Sequence, residues 1–249
     1  MAPLFDGWEE TMIWSALGGC MGEVWCLAEE QSPRVALVSI SDFVFFAGDD
    51  ALPDAKELVL AFLEKTGERN AIIAPQNDAW LQLLEELIGD TAKKYERYAI
   101  KKDPNAFDKE RLHQYACALA AEFTMRPIDA ELYPIVMATE WARDFCSSFS
   151  SCEDFMVNGL GVVALRGDEI VGGCSAYAYY PGGIEIEVDT RHDMRRRGIA
   201  LACSAQLILN CLERGLYPSW DAANRMSVAL AEKLGYEEKG AYTVYEINP

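Results

Sequence analysis

Ile184-Glu185-Ile186-Glu187-Val188-Asp189-Thr190 and, five residues further on, Arg195-Arg196-Arg197-Gly198-Ile199-Ala200 are the stretch whose reading decides the fold of this chain. The first part alternates apolar and acidic residues with period two, the pattern of a strand with one polar face. The second part opens an amphipathic run over residues 198–214 with helical spacing. A helix N-terminus carries unpaired N–H groups and a partial positive charge, so a strand feeding a helix through this loop makes an anion site. Gly198 lets backbone approach a pyrophosphate, small Ala200 does not block it, and the three arginines add cationic charge. On composition alone, a basic solvated loop before an ordinary helix explains the same residues.

Working outward, residues 218–221 read as a short strand, 224–234 as a helix with Asn224 at its N-cap, and 242–247 as a last strand. Upstream, 123–126 is a strand and 129–145 contains helical segments. Residues 161–166 and 170–180 form a hairpin about Arg166-Gly167-Asp168-Glu169, and Pro181-Gly182-Gly183 makes a turn. In the first half, 22–28 and 35–46 are apolar runs read as strands. Residues 53–66 form a helix opened by Pro53 and Asp54, 71–74 a short strand, 77–88 a helix capped by Asn77, and 95–100 a strand. Asp103-Pro104-Asn105 marks a loop and 108–122 reads as helical, so two domains are expected, at 1–115 and 116–249.

The Arg195, Gly198, Ala200 pattern resembles the Arg/Gln-x-x-Gly-x-Gly/Ala signature of the GNAT superfamily. Asn224-Arg225-Met226-Ser227 through Leu234-Gly235-Tyr236 is similar to its second element, Asn-x-x-Ser/Ala with a helix ending in Leu-Gly-Phe/Tyr. The wider string from Ile184 to Thr190, the arginine run and Trp220-Asp221 look closest to the subgroup typified by zwittermicin A resistance proteins. The likeness covers about residues 123–249. It implies an α+β fold whose mixed, mostly antiparallel sheet splays at an acyl-CoA site, preceded by an N-terminal α/β domain.

The same resemblance implies that acetyl-CoA is the cosubstrate. Its pantetheine arm would pair with backbone near Glu187, Val188 and Asp189, and its pyrophosphate would rest on N–H groups of Arg195, Arg196, Arg197, Gly198, Ile199 and Ala200. Asn224 and Ser227 would contact the pantetheine or the thiol end, although Asn224 can equally serve as a plain N-cap. Attack by a neutral amine on the thioester needs a base and an acid. Glu185 and Glu187 share one face of a regular strand, so either is a base or a substrate anchor, or both are the wet face of an edge-like strand. Relatives carry a Tyr as general acid where this chain has Ala231, which leaves Ser227, Tyr236 and Tyr242 as candidates. His192 is expected in solvent.

Composition narrows the function further. Hydrophobic residues make up 51% and charged residues 25%, the balance of a globular domain. A net charge of −18 opposes nucleic-acid binding and favours a cationic partner, unless it serves solubility alone. No apolar run reaches the roughly 18–20 residues of a membrane span, and the acidic start MAPLFDGWEE is unlike a signal peptide. Eight cysteines without a C-x-x-C pair and only two histidines point to reduced thiols, a cytoplasmic location and no metal. The expected activity is transfer of an acetyl group to a primary amine on a small cationic molecule. The alternative is a catalytically silent CoA-binding regulator or scaffold.

Sliding the chain against itself by 147 positions pairs Asn77 with Asn224, Leu83 with Leu230, Glu85 with Glu232 and Leu87 with Leu234. It also pairs Tyr95, Tyr98 and Ile100 with Tyr242, Tyr245 and Ile247. Residues 53–66 fall on the 198–214 helix, and 35–40 lie near 184–188. The first half is thus expected to be a degenerate copy of the second, though a shared strand–helix rhythm produces part of the match. Where the arginine loop should be, it reads Phe46-Ala47-Gly48-Asp49-Asp50-Ala51-Leu52-Pro53, whose two acids would repel phosphate. That half is read as a wall of the acceptor cleft or a dimer surface, which makes a homodimer compatible with the sequence.

Overall fold

The computed structural model describes residues 2–27 and 33–248. The chain forms two compact units, Met1–Arg97 with Ala241–Pro249, and Tyr98–Gly240. The sequence placed a single boundary at 115/116. The chain instead divides at 97/98 and returns its last residues to the first unit.

The first unit contains α1 (Thr11–Leu17), β1 (Glu23–Trp25), β2 (Val35–Ile40), β3 (Phe43–Gly48), α2 (Pro53–Thr66), β4 (Ala71–Pro75) and α3 (Asp78–Ile88). Most of β5 (Lys93–Ile100) also belongs to it. Residues 35–46, expected as one strand, are a hairpin. Ser41 takes a left-handed φ of 51° and the register pairs Ile40 with Phe43. The polar pair Ser41-Asp42 makes the two-residue turn, and without Gly or Asn it lacks the strongest hairpin signal. Ala28 of the expected 22–28 strand lies outside the described residues. β3 and β4 are parallel, joined through α2, whose Ala55, Leu58, Val59 and Phe62 are buried over Phe46, Ile73 and Trp80. Antiparallel to β4 runs the chain's last strand, from Glu238 to Ile247, with Tyr245 opposite Ile73 and fully buried.

The second unit contains α4 (Lys109–Cys117), β6 (Thr124–Pro127), α5 (Tyr133–Ala138), a 3-10 turn at Glu140–Phe145 and α6 (Cys152–Asn158). The strands β7 (Gly161–Arg166), β8 (Glu169–Tyr180) and β9 (Gly183–Thr190) follow, then α7 (Ile199–Glu213), β10 (Tyr217–Ser219), β11 (Asp221–Ala222) and α8 (Arg225–Leu234). Its main sheet has the order β10-β9-β8-β7-β6, antiparallel except for β9 with β10. α6 went unread because its seven residues give too little periodicity. Ser151 caps it, accepting from the Asp154 N–H at 3.1 Å.

α7 is buried nearly all round. Ile199, Ala202, Cys203, Ala205, Leu207, Ile208 and Cys211 pack on the sheet and against α4. Burial pushes the Cys203 and Cys211 thiols up to about 12, so both behave as small core residues. No helix among the described residues is long and apolar enough to cross a membrane.

Candidate active site

The site strand β9 pairs with β10 over three residues, Gly183 with Tyr217, Ile184 with Pro218 and Glu185 with Ser219. Then the two part. Trp220 interrupts the strand expected over 218–221, and Asp221 and Ala222 pair instead with Ala99 and Tyr98 of β5, in a different sheet. The tetrapeptide Pro218-Ser219-Trp220-Asp221 thus serves two sheets, a break that its short strand pattern does not show. Opposite the parting point, β8 carries a bulge between Ala176 and Ala178, which face Ile186 and Glu185. A bulge strengthens the local twist and bends its strand. Past Glu185, the backbone groups of Ile186–Asp189 on the β10 side face no strand of their own sheet among the described residues.

Glu185 and Glu187 share a face of β9, as expected. The Ser175 hydroxyl, opposite Glu187, donates to the Phe145 carbonyl at 2.6 Å, so this face carries the 140–145 turn. Glu185 is buried at 4% exposure, while Glu187, Val188 and Asp189 are half-buried. The Asp189 carboxylate accepts from the Thr190 N–H at 2.6 Å and meets the Arg195 guanidinium at 3.5 Å.

On the other face, the first turn of α7 closes against β8. Gly172 lies opposite Thr190, and a Cβ on it would stand 2.5 Å from Ile199 Cγ2. Gly198 is the N-cap residue in the left-handed region, φ 80° and ψ 1°, and no side chain caps α7. The N–H groups of the first turn therefore have no intrahelical acceptor and point out of the helix end. Gly172 lies outside the residues of the signature. Its signal, two adjacent glycines in an apolar strand, marks a close approach that only the structure locates.

The three arginines divide their roles. Arg195 Nε donates to the Thr190 carbonyl at 3.2 Å and ties the loop to the end of β9. Arg197 pairs with Glu122 at 3.2 Å, an acid that also holds Arg166. Arg196 is exposed with a left-handed φ of 62°, and no ion pair engages it among the described residues. His192 lies exposed in the 192–194 turn, as expected.

Asn224 acts as an N-cap, accepting from the Met226 and Ser227 N–H groups at 3.0 Å each. The Ser227 hydroxyl accepts from Trp220 Nε1 at 3.0 Å, which locks the break between β10 and β11 to the start of α8. The Tyr236 hydroxyl donates to the Pro218 carbonyl at 2.6 Å and burial holds its pKa well above the ordinary phenol value. A proton so engaged and enclosed is a poor general acid, which corrects that candidacy. Tyr242 belongs to the first unit. Tyr217, on β10 and also unread, has a hydroxyl that accepts from the Asp103 N–H at 3.1 Å, and burial pushes its pKa up to about 12.

Comparison with known proteins agrees with this geometry. A profile of the GNAT acetyltransferase family matches residues 2–245. A GCN5-related N-acetyltransferase-like protein from Streptococcus suis 89/1591 is similar in structure, with a TM-score of 0.90 and 45% identity over 98% of this chain and 96% of that one. The uncharacterised N-acetyltransferase YdfB of Bacillus subtilis (strain 168) is 24% identical over 96% of this chain and 91% of its own length. A tandem GNAT protein from the clavulanic acid biosynthesis pathway shares the fold at a TM-score of 0.58 and 11% identity, over 90% of this chain and 82% of its own. With a split parallel pair, an uncapped glycine-led helix and a family match over almost its whole length, the chain belongs to the GNAT acetyltransferase family and is an N-acyltransferase.

Proposed function

We propose that the protein transfers an acetyl group from acetyl-CoA to a primary amine on a small cationic molecule, using one site per chain in the second unit. The observation that carries this reading is the parting of β9 from β10 at Glu185 and Ser219, beside the uncapped first turn of α7. Acetyl-CoA supplies the activated acyl group. The N–H groups from Arg196 to Ala200 suit a pyrophosphate, with Arg196 free to add charge. The open backbone of Glu187–Asp189 suits amide groups of a pantetheine arm, which would extend β9 as a peptide strand does. Asn224 and Ser227 start the helix on the far side of the split.

Glu185 is the base in this reading. It is 4% exposed and stands where β9 and β10 part. Glu187, half-buried on the same face, anchors a second cationic group of the acceptor. Likeness of the 184–190 string to the zwittermicin A resistance subgroup and the −18 net charge favour a polyamine, amino sugar or amino-polyol. A silent CoA-binding role is the second reading, favoured by Ala231 in place of a tyrosine and by the engaged Tyr236 hydroxyl.

The first unit reads as a degenerate copy of the same fold. Parallel β3 and β4 around α2 correspond to parallel β9 and β10 around α7. Asn77 caps α3 through the Ala79 and Trp80 N–H groups, as Asn224 caps α8. The strand matching β9 is β3 rather than the expected 35–40, because only residues 49–52 join β3 to α2 whereas residues 191–198 join β9 to α7. Asp49 in this short link pairs with Arg34, so no cationic loop stands there.

Calorimetric titration with acetyl-CoA and CoA tests the reading, followed by thiol-release assays on spermidine and glucosamine. Binding at one site per chain, lost in Gly198→Trp, and turnover of an amine are expected. Absence of binding overturns the acetyl-CoA assignment, and binding without any turnover favours the silent role.

A further inference from the structure

The last pair joining β9 to β10 is Glu185 with Ser219. Residues directly paired on neighbouring strands project to the same face, so both side chains stand together at the point where the strands part. Ser219 is 1% exposed and its Oγ has no hydrogen-bond partner among the described residues. A buried hydroxyl without a partner is a cost that native interiors rarely carry, and alanine would fill the same strand position without it.

We propose that Ser219 is a positioning residue for Glu185: its hydroxyl donates to the carboxylate through one water and orients the oxygen that takes the ammonium proton. This rests on the reading of Glu185 as the base. The acceptor's ammonium proton passes to Glu185, which becomes a carboxylic acid while Ser219 keeps its own proton. The freed nitrogen lone pair forms the C–N bond as the thioester C–S bond breaks, the acylated nitrogen gives up its second proton to solvent, the departing thiolate takes one proton from solvent, and Glu185 later returns its own to solvent. Tyr217 and Tyr236 both feel the charge of Glu185, but burial keeps these phenols protonated. Cys146, at the end of the turn packed on this face, is pushed up to about 12 by burial. The charged residues of that turn, Glu140, Arg143 and Asp144, are exposed. The carboxylates that β9 places on this face are Glu185, Glu187 and Asp189, the last of them held by the Arg195 guanidinium at 3.5 Å.

The test is carbon-13 NMR titration of the full chain labelled at glutamate side-chain carboxyls, with the Glu185 signal identified by its loss in Glu185→Gln. A donor to the charged form lowers a carboxyl pKa, so Ser219→Ala should raise the Glu185 midpoint by about one unit and Ser219→Thr should return it. The acid limb of the pH profile of turnover should move to higher pH by the same amount, with the KM for acetyl-CoA unchanged. A Glu185 midpoint that does not move in Ser219→Ala, in protein that still binds acetyl-CoA, overturns the role of Ser219 and leaves Glu185 as base. Full turnover in Glu185→Gln removes the base itself, and the role of Ser219 with it. Ser219→Cys, of similar volume, repeats the measurement if the alanine variant does not fold.

Discussion

Replacing Gly172 with alanine adds one methyl group at the closest approach between the sheet and α7. That carbon would stand 2.5 Å from Ile199 Cγ2 and 3.2 Å from Thr190 Oγ1. Carbon atoms rest comfortably at about 3.5–4.0 Å, so the overlap is roughly 1–1.5 Å. Ile199 is 1% exposed and begins the helix, where a β-branched side chain holds essentially one rotamer. It cannot swing aside, and the displacement passes to the backbone of the first turn. Overpacking of this kind costs about 1–3 kcal/mol, and at this chain length each kcal/mol lowers Tm by about 2–4 °C. The first-turn N–H groups move with the helix, away from the phosphates assigned to them. Losing one charge-assisted hydrogen bond, about 1.5–3 kcal/mol, weakens acetyl-CoA binding by about 10–150-fold. Thermal unfolding and calorimetric titration read the two effects separately. Ile199→Ala in the Gly172→Ala background removes the clashing methyl and should recover affinity. Wild-type affinity in Gly172→Ala would refute the placement of the anion site at this turn. A double variant that regains Tm but not affinity would refute the link between the clash and the site.

Three other substitutions separate backbone, charge and pH effects. No atom lies within 4 Å of a Cβ built on Gly198, so its replacement is limited by the φ of 80°: titration should find acetyl-CoA affinity kept in Gly198→Asn, whose side chain tolerates this region, and lost in Gly198→Val, which is strained there by about 1–2 kcal/mol. Arg196→Gly removes a free guanidinium and relieves a left-handed non-glycine residue, so Tm should hold or rise while acetyl-CoA affinity falls, more at low salt than at high. Hydrogen bonds from Asn158 and from Ser150 hold the Asp154 carboxyl below its usual pKa. A depressed folded pKa contributes stability above the unfolded value that is lost as pH falls through the folded one, so Asp154→Asn should show a smaller drop in Tm between pH 7 and pH 3 than wild type, as scanning calorimetry would measure.

Elements written in local chemistry were legible in the sequence. The alternation from Ile184 to Asp189, the glycine before Ile199 and the caps Asn77 and Asn224 each carry their geometry in a few adjacent residues, and each is found where expected. Features set by a distant partner were not. Trp220 looks like one more apolar strand residue, yet its indole bonds Ser227 and the chain changes sheets there. The last strand has the pattern of a closing strand for the second half, but its Val244, Tyr245 and Ile247 are buried in the first unit, Tyr245 opposite Ile73. Period-two alternation shows that one face is buried and does not show which sheet buries it. Gly172 and Ser219 escaped for the same reason, since their meaning lies in Ile199 and Glu185, far along the chain.

The links that follow the parallel strands β9 and β3 differ in length and in what they offer an anion. Eight residues between β9 and α7 allow a 3-10 turn, an anchored Arg195, an outward Arg196 and a left-handed Gly198 before the helix starts. Four residues between β3 and α2 leave no length for such a nest, and Pro53 at the first helical position has no N–H to offer. Trp80 Nε1 donates to the Gly48 carbonyl at 2.9 Å and fastens the end of β3 to α3. β3 and β4 stay paired over four residues, from Phe43 with Ile72 to Phe46 with Pro75, where β9 and β10 part after three. In the first unit the link is shorter and the parallel strands stay paired, so among the described residues the parting of strands and the glycine-led helix start belong to the second unit.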